Sequence, residues 1–214
     1  MTREMTTYYA QRASEYDRIY EYPHWLSDVA KLKEMIPGFF KSRTVLEVAC
    51  GTGYWLPYVA KHARRVHATD INDETLAVAR ARMAGSPSVT FERRDAYAPV
   101  VGGRFTGGLA GFWMSHVDLA RMAEFLKAFH APMESGAAIL MFDQHRKHEA
   151  DRPATRFGNS CNRYEMRTLS SGTQFEIIKN ILTEEALRGW ANEYGRDVEY
   201  REIENFWVLS YVVR

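Results

Sequence analysis

The stretch Glu47-Val48-Ala49-Cys50-Gly51-Thr52-Gly53 places two glycines directly behind a short apolar run, Thr44 to Val48. Glycine at such a turn lets the backbone bend tightly and lets a ligand lie against it without a Cβ in the way. Asp70 ends a second apolar run about 20 residues on, where a carboxylate can accept both hydroxyls of a ribose. This is chemistry for holding a nucleoside. A dinucleotide fingerprint would need a third glycine where Leu56 stands, and Gly53-Tyr54-Trp55 lacks the lysine of a phosphate loop. A neutral or cationic adenosine derivative is therefore favoured over a polyphosphate. Glu47 adds a negative charge that suits an ammonium or a sulfonium.

Proton chemistry points to two histidines. His116, in WMSHVD, lies just past a candidate strand, and its ordinary titration range suits a general base near neutrality. The competing reading is a histidine that only orders the turn before Asp118. His145, behind Asp143, is a second candidate for the same region.

These residues need a scaffold, and the hydrophobic pattern supplies one. Thr6 to Tyr20 puts Tyr9, Ala13, Tyr16 and Tyr20 at helical spacing on one face, and Trp25 to Leu32 predicts a second helix stopped by Pro37-Gly38. Strands are predicted at 44–48, 66–69, 89–92, 108–113, 137–142, 174–178, 198–203 and 206–213. Helices are expected between them. One is capped by Asn72 and carries Leu76, Ala79 and Met83 inward, and another begins at Asp118 with Leu119, Met122, Leu126 and Phe129. A third starts at Thr183. From Asp143 to Ser171 the pattern dissolves into polar, Arg-rich sequence, in which Arg156, Arg163 and Arg167 read as a solvated surface, with an anionic substrate group as the lesser alternative. Strand–helix alternation implies an α/β fold with a largely parallel sheet and helices on both faces.

Composition narrows the function classes. The 214 residues suit one domain, 46% of them are hydrophobic, and 28 basic side chains nearly balance 27 acidic ones. No basic excess suggests a nucleic-acid partner, and no apolar run suggests a membrane. Cys50 and Cys161 stand far apart without a CxxC pair, so neither a disulfide framework nor a metal site is expected, and a cytoplasmic setting fits best.

Taken together, VLEVACGTG, Asp70 in ATDIN, Asp95 in ERRDAYAP and the GLAGFWMSHV strand resemble the class I S-adenosylmethionine-dependent methyltransferases. The resemblance runs from about Tyr8 to the last strand. It implies a Rossmann-like, doubly wound, mostly parallel seven-stranded sheet with helices on both faces and an antiparallel last strand, in a single domain over 1–214 with an N-terminal helical lid (1–40) and a substrate-side insertion (143–180). It also implies that Gly51 and Gly53 pack against the cofactor's methionine and ribose, that Glu47 orients the methionine end, and that Asp70 holds the ribose with Ile71 beside it. Asp95 would meet the adenine amino group near the Ala96 backbone, and Phe112 and Trp113 would flank the methionine. The segment YYAQRASEYD resembles a leading lid helix and would bring Tyr9 and Tyr16 to the cofactor. Ala49 departs from the pattern, standing where many members carry the first glycine of the turn, and should narrow that turn slightly.

The expected activity is transfer of the sulfonium methyl of S-adenosyl-L-methionine to a small-molecule acceptor, by a monomer or homodimer. Two alternatives stay open: cyclisation of the cofactor's own aminobutyl chain, or a subunit that binds the cofactor without catalysis. A nucleic-acid methylase is disfavoured because Gly111-Phe112-Trp113-Met114 replaces the [ND]PP[YF] loop that holds a flipped base.

Overall fold

The computed structural model describes residues 2–145, 147, 152–158 and 160–214. Seven strands form one sheet: β1 (Thr44–Val48), β2 (Arg65–Asp70), β3 (Val89–Arg93), β4 (Phe105–Gly111), β5 (Met133–Gln144), β9 (Gly195–Glu202) and β10 (Phe206–Val213). Their order is β3-β2-β1-β4-β5-β10-β9. β1 to β5 pair in parallel, and β10 runs antiparallel to both of its neighbours. The order reverses at β1, which pairs with β2 on one side and β4 on the other; ligands bind at such a switch point in open α/β sheets.

Alternation along the strands sorts the core into two layers. Val45 of β1, Leu140 and Phe142 of β5, and Phe206 and Val208 of β10 face α2 (Leu26–Phe39), α3 (Leu56–Ala60) and α4 (Asp73–Arg82). Leu46, Ile139, Met141, Trp207 and Leu209 face the opposite way, onto α5 (Met122–His130) and α6 (Glu184–Tyr194). That second layer also takes in Met5 and Tyr8 of α1 (Arg3–Arg12).

Several predicted boundaries need correction. The first helix does not run to Tyr20: α1 ends at Arg12, and the chain resumes as a 3₁₀ turn, Tyr16–Glu21. Pro37-Gly38 does not stop α2, which continues to Phe39 because Ile36 and Phe40, both fully buried, pin its last turn to the sheet. β4 begins at Phe105 and ends at Gly111, so Phe112 and Trp113 lie beyond it. The Arg-rich segment contains β6 (Arg156–Phe157) and β7 (Arg163–Thr168), which join β8 (Gln174–Ile178) in a separate antiparallel sheet. Residues 146, 148–151 and 159 of the expected 143–180 insertion lie outside the described residues. Phe175 and Ile177 of β8 seat the small sheet on the α5 side, and α1 packs against β8. No helix among the described residues is long and apolar enough to cross a membrane.

Candidate active site

The glycine turn leaves β1 through three left-handed residues, Ala49 (φ +50°), Gly51 (φ +55°) and Gly53 (φ +69°). Side chains rarely adopt this conformation, so Ala49 carries the strain that a glycine would avoid. The two glycines serve different ends. A Cβ on Gly51 would project into open space, and Gly51 lines a pocket at the end of β1. A Cβ on Gly53 would stand 2.8 Å from Leu56 Cδ1 and 2.9 Å from Ala79 Cβ. Gly53 therefore lets α4 approach the turn and is absent from the pocket lining, unlike its expected place against the cofactor.

Asp70 ties this turn to the next element. Its carboxylate accepts from the backbone N–H of Gly51 (2.9 Å) and of Asn72 (2.9 Å), and from the Thr75 hydroxyl (3.0 Å). Burial raises its pKa, against the pull of those same hydrogen bonds. Asn72 does begin α4, but its side chain makes no capping bond; Asp70 and Thr75 organise that first turn. Glu47 is the second acid in the pocket. It is 2% exposed, its Oε2 has no hydrogen-bond partner, and burial pushes its carboxyl up to about 8. Ile71, Asp95, Ala96 and Arg94 complete this wall, and Arg94 already pairs with Glu92.

The N-terminal segment covers the pocket. Tyr9, Tyr16 and Tyr20 line it, with ring centroids 5.8 Å and 6.2 Å apart in succession, and Tyr20 stacks on Tyr54 at 3.8 Å. Asp17 latches the cover to the turn below: it accepts from the Thr52 hydroxyl at 2.5 Å and pairs with Arg82, which also donates to the Thr52 carbonyl at 3.0 Å.

Beyond β4, Phe112 adopts φ +55° and turns the chain into the short 3₁₀ helix Met114–His116. Phe112, Trp113 and His116 line the pocket. His116 is buried and held from both sides: Nδ1 donates to the Ile178 carbonyl at 2.6 Å, so Nε2 is the acceptor for the Tyr9 hydroxyl at 2.9 Å. Burial, helped by the nearby Lys179 ammonium, brings its pKa down to about 3, so the imidazole is neutral.

Tyr9, Tyr16, Phe112 and His116 form a partition whose other side faces a second, more open chamber. Arg12, Lys147, Arg152, Arg167 and Lys179 line that chamber. Lys179 is 3% exposed and donates to Asp143 (3.0 Å) and Ser115 (2.7 Å). Burial lowers the Lys179 pKa, while the ammonium holds Asp143 below the usual carboxylate range against the upward effect of its own burial.

Residues 45–136 match a family model described as a methyltransferase domain. By that match, this segment is a methyltransferase domain. The whole chain also superimposes on solved structures. A complex of DhpI with S-adenosylhomocysteine is 24% identical, with 98% of this chain and 95% of that one covered and a TM-score of 0.80. A DhpI complex with S-adenosylmethionine and HEP is 25% identical (97% and 95% covered, TM-score 0.77). The N-methyltransferase NodS from Bradyrhizobium japonicum, bound to S-adenosylhomocysteine, is 10% identical (98% and 98% covered, TM-score 0.71). No curated protein matches the sequence significantly.

The fold gathers Tyr9, Tyr16, Glu47, Ala49, Gly51, Asp70, Ile71, Asp95, Ala96, Phe112, Trp113 and His116 around one pocket. Gly53 stands behind it. His145 is elsewhere: it lines a separate cleft with Cys161 and Asn180, and its Nε2 lies 2.7 Å from Glu202. That contact with the edge strand β9 accounts for its place. Sequence reasoning missed Thr52, Tyr54, Trp55 and Arg94 in the pocket, although all but Arg94 sit in or beside the glycine turn. It also left Arg167 on the solvated surface and gave no site role to Arg12 or Lys179. A lysine directly after the apolar run of β8 was the available signal.

Proposed function

We propose that this chain transfers the methyl group of S-adenosylmethionine to a small-molecule acceptor, with the cofactor in the acid-lined pocket and the acceptor in the neighbouring chamber. The carrying observation is the shared partition of Tyr9, Tyr16, Phe112 and His116 between two cavities. The pocket suits the cofactor on two counts. Glu47 presents a buried oxygen without a partner, ready for an ammonium, and Gly51 leaves a cradle that a side chain would occupy. Asp70 uses its carboxylate on three protein donors and keeps lone-pair capacity for ribose hydroxyls. Asp95 and Ala96 stand where the adenine edge would reach.

When bound, S-adenosylmethionine supplies an activated methyl whose carbon–sulfur bond breaks towards sulfur as the acceptor's lone pair forms the new bond. The protein's part is alignment, exclusion of water and proton handling. The tyrosine cover closes the pocket, and the Asp17 latch holds that cover on the turn. His116, neutral and oriented by Ile178, offers Nε2 as a hydrogen-bond acceptor to the acceptor molecule once Tyr9 yields its hydrogen bond. Its depressed pKa makes it a weaker base than the near-neutral one expected from sequence, and suits it first to orienting the nucleophile. A separate chamber favours transfer to a second molecule over cyclisation of the cofactor's own chain.

Calorimetry with S-adenosylhomocysteine, followed by product analysis over a panel of acceptors, tests this reading. Binding together with S-adenosylhomocysteine as the product is expected. Methylthioadenosine as the product would mean cyclisation, and binding without turnover over the whole panel would support the non-catalytic alternative.

A further inference from the structure

The outer chamber has a charge that methyl transfer alone does not require. Five of its lining residues are cationic and none is a carboxylate, among the described residues. The positive charges come from four parts of the fold: Arg12 ends α1, Lys147 and Arg152 follow β5, Arg167 lies on β7, and Lys179 follows β8. Like charges converge at a cost: burial lowers the pKa of both Arg152 and His116, and the Arg167 guanidinium adds to the lowering of each. Protein groups offset that cost only in part. Lys179 has Asp143, and Arg167 has Glu165 through one terminal nitrogen at 2.6 Å, yet the Arg167 Nε is buried without a hydrogen-bond partner. Arg12 donates to the Tyr8 hydroxyl at 2.6 Å and lies 5.2 Å from the Tyr16 ring centroid, and neither it nor Arg152 has a carboxylate within ion-pair distance among the described residues. Planar guanidinium groups of this kind recognise oxyanions through paired N–H donors.

We infer that the acceptor is a small anion, whose carboxylate or phosphate-type group is gripped by Arg12, Arg152 and Arg167 in the outer chamber while its nucleophilic end faces the Tyr9–His116 partition. This inference rests on the methyl-transfer reading and names its substrate class. The geometry gives the anion a direction. Arg12 and Arg167 also line the cleft on the far side, with Arg18 and Ser170, whereas His116 and Phe112 close the chamber against the cofactor pocket. An acceptor anchored at the arginines therefore points its other end at the transferable methyl. The two cavities are complementary in sign, since the cofactor brings a cation to carboxylates and the acceptor brings an anion to cations.

The test uses the full chain saturated with S-adenosylhomocysteine. Inorganic phosphate, acetate and the neutral acetamide are titrated separately and followed by heteronuclear NMR, and the same is done with Arg12→Gln, Arg152→Gln and Arg167→Gln. Phosphate or acetate should shift signals of Tyr9, His116 and the β7 backbone, and acetamide should not. Tighter binding of phosphate would identify a phosphate-type group, and tighter binding of acetate a carboxylate. Each substitution should weaken the anion by about tenfold or more while leaving S-adenosylhomocysteine affinity within about twofold. Because Arg167 is buried against Glu165, the more exposed Arg12 and Arg152 variants decide the matter if Arg167→Gln fails to fold. In turnover, anionic acceptors should outperform their neutral amides or esters. The inference is overturned if S-adenosylhomocysteine binds but neither anion does, if anion affinity survives both the Arg12 and Arg152 changes, or if neutral acceptors turn over as well as their anionic counterparts. Failure of S-adenosylhomocysteine to bind would instead overturn the methyl-transfer reading.

Discussion

Three carboxylates and one arginine already paired with Glu92 face the inner pocket, whereas five cations and no carboxylate line the outer chamber among the described residues. The two regions are also assembled differently. Glu47, Asp70 and Asp95 sit on or just after three consecutive parallel strands, so one repeating strand–turn pattern delivers all three to the same sheet edge. Arg12, Arg152, Arg167 and Lys179 arrive from the N-terminal helix, the segment after β5, and the small three-stranded sheet. A cofactor pocket can thus follow from the fold's basic repeat, while the acceptor chamber depends on what is packed onto it.

The sharpest way to break this contrast is at the partition. His116→Ala should lower turnover by about 10²–10⁴-fold if the imidazole takes the acceptor's proton, with S-adenosylhomocysteine affinity nearly unchanged. His116→Asn should be less damaged if orientation is the only role. Steady-state kinetics beside calorimetry separates these outcomes, and full activity in both variants would reduce His116 to a structural link between Tyr9 and Ile178.

On the acidic side, Asp70→Ala should weaken S-adenosylhomocysteine by about 10–100-fold, since it removes a charged acceptor and frees the Gly51 N–H that organises the turn. Unchanged affinity would take Asp70 out of the binding site. The paired glycines sharpen the point. Gly53→Ala should cost about 1–3 kcal/mol of stability through its clash with Leu56 and Ala79. Gly51→Ala should cost about 1 kcal/mol from its backbone conformation alone, and lose cofactor affinity instead. Thermal melts with and without S-adenosylhomocysteine distinguish the two.

Glu47 provides a smaller but cleaner signal. Its pKa is raised from an ordinary 4.5 to about 8 by burial, so the native state holds a proton there that the unfolded state has lost between those values. Native stability from this group therefore falls as pH rises from about 4.5 to 8, and Glu47→Gln should flatten that slope. At pH about 7 the free enzyme carries a neutral Glu47, and an arriving ammonium should drive the proton off. Calorimetry in buffers of different ionisation enthalpy should show close to one proton released per S-adenosylhomocysteine bound, and none in Glu47→Gln.

The smallest effect is expected at the latch. Asp17→Ala removes the bonds to Thr52 and Arg82, so amide exchange over residues 3–21 should quicken a few-fold, and S-adenosylhomocysteine should slow it again. Exchange that is slow and ligand-independent in both proteins would make the segment part of the core rather than a cover.

Periodicity and turn chemistry in the sequence alone were enough to place β1 and β8 at their exact bounds, the glycine turn, Glu47 and Asp70 of the three pocket acids, and the helix after Asn72. Each of these depends on neighbours within one turn or one strand. What the sequence left open depends on distant packing. Pro37 signals a helix end, but burial of Ile36 and Phe40 outweighs it. Gly51 and Gly53 look alike in sequence, and only the approach of α4 assigns one to the ligand and the other to packing. His116 and His145 both lie near strand ends, yet Ile178 and Tyr9 hold one at the partition while Glu202 draws the other into a different cleft. The arginines after β5 have no local periodicity to betray them. Their common chamber exists only because the small sheet docks beside α1, bringing together charges that are more than a hundred residues apart in sequence.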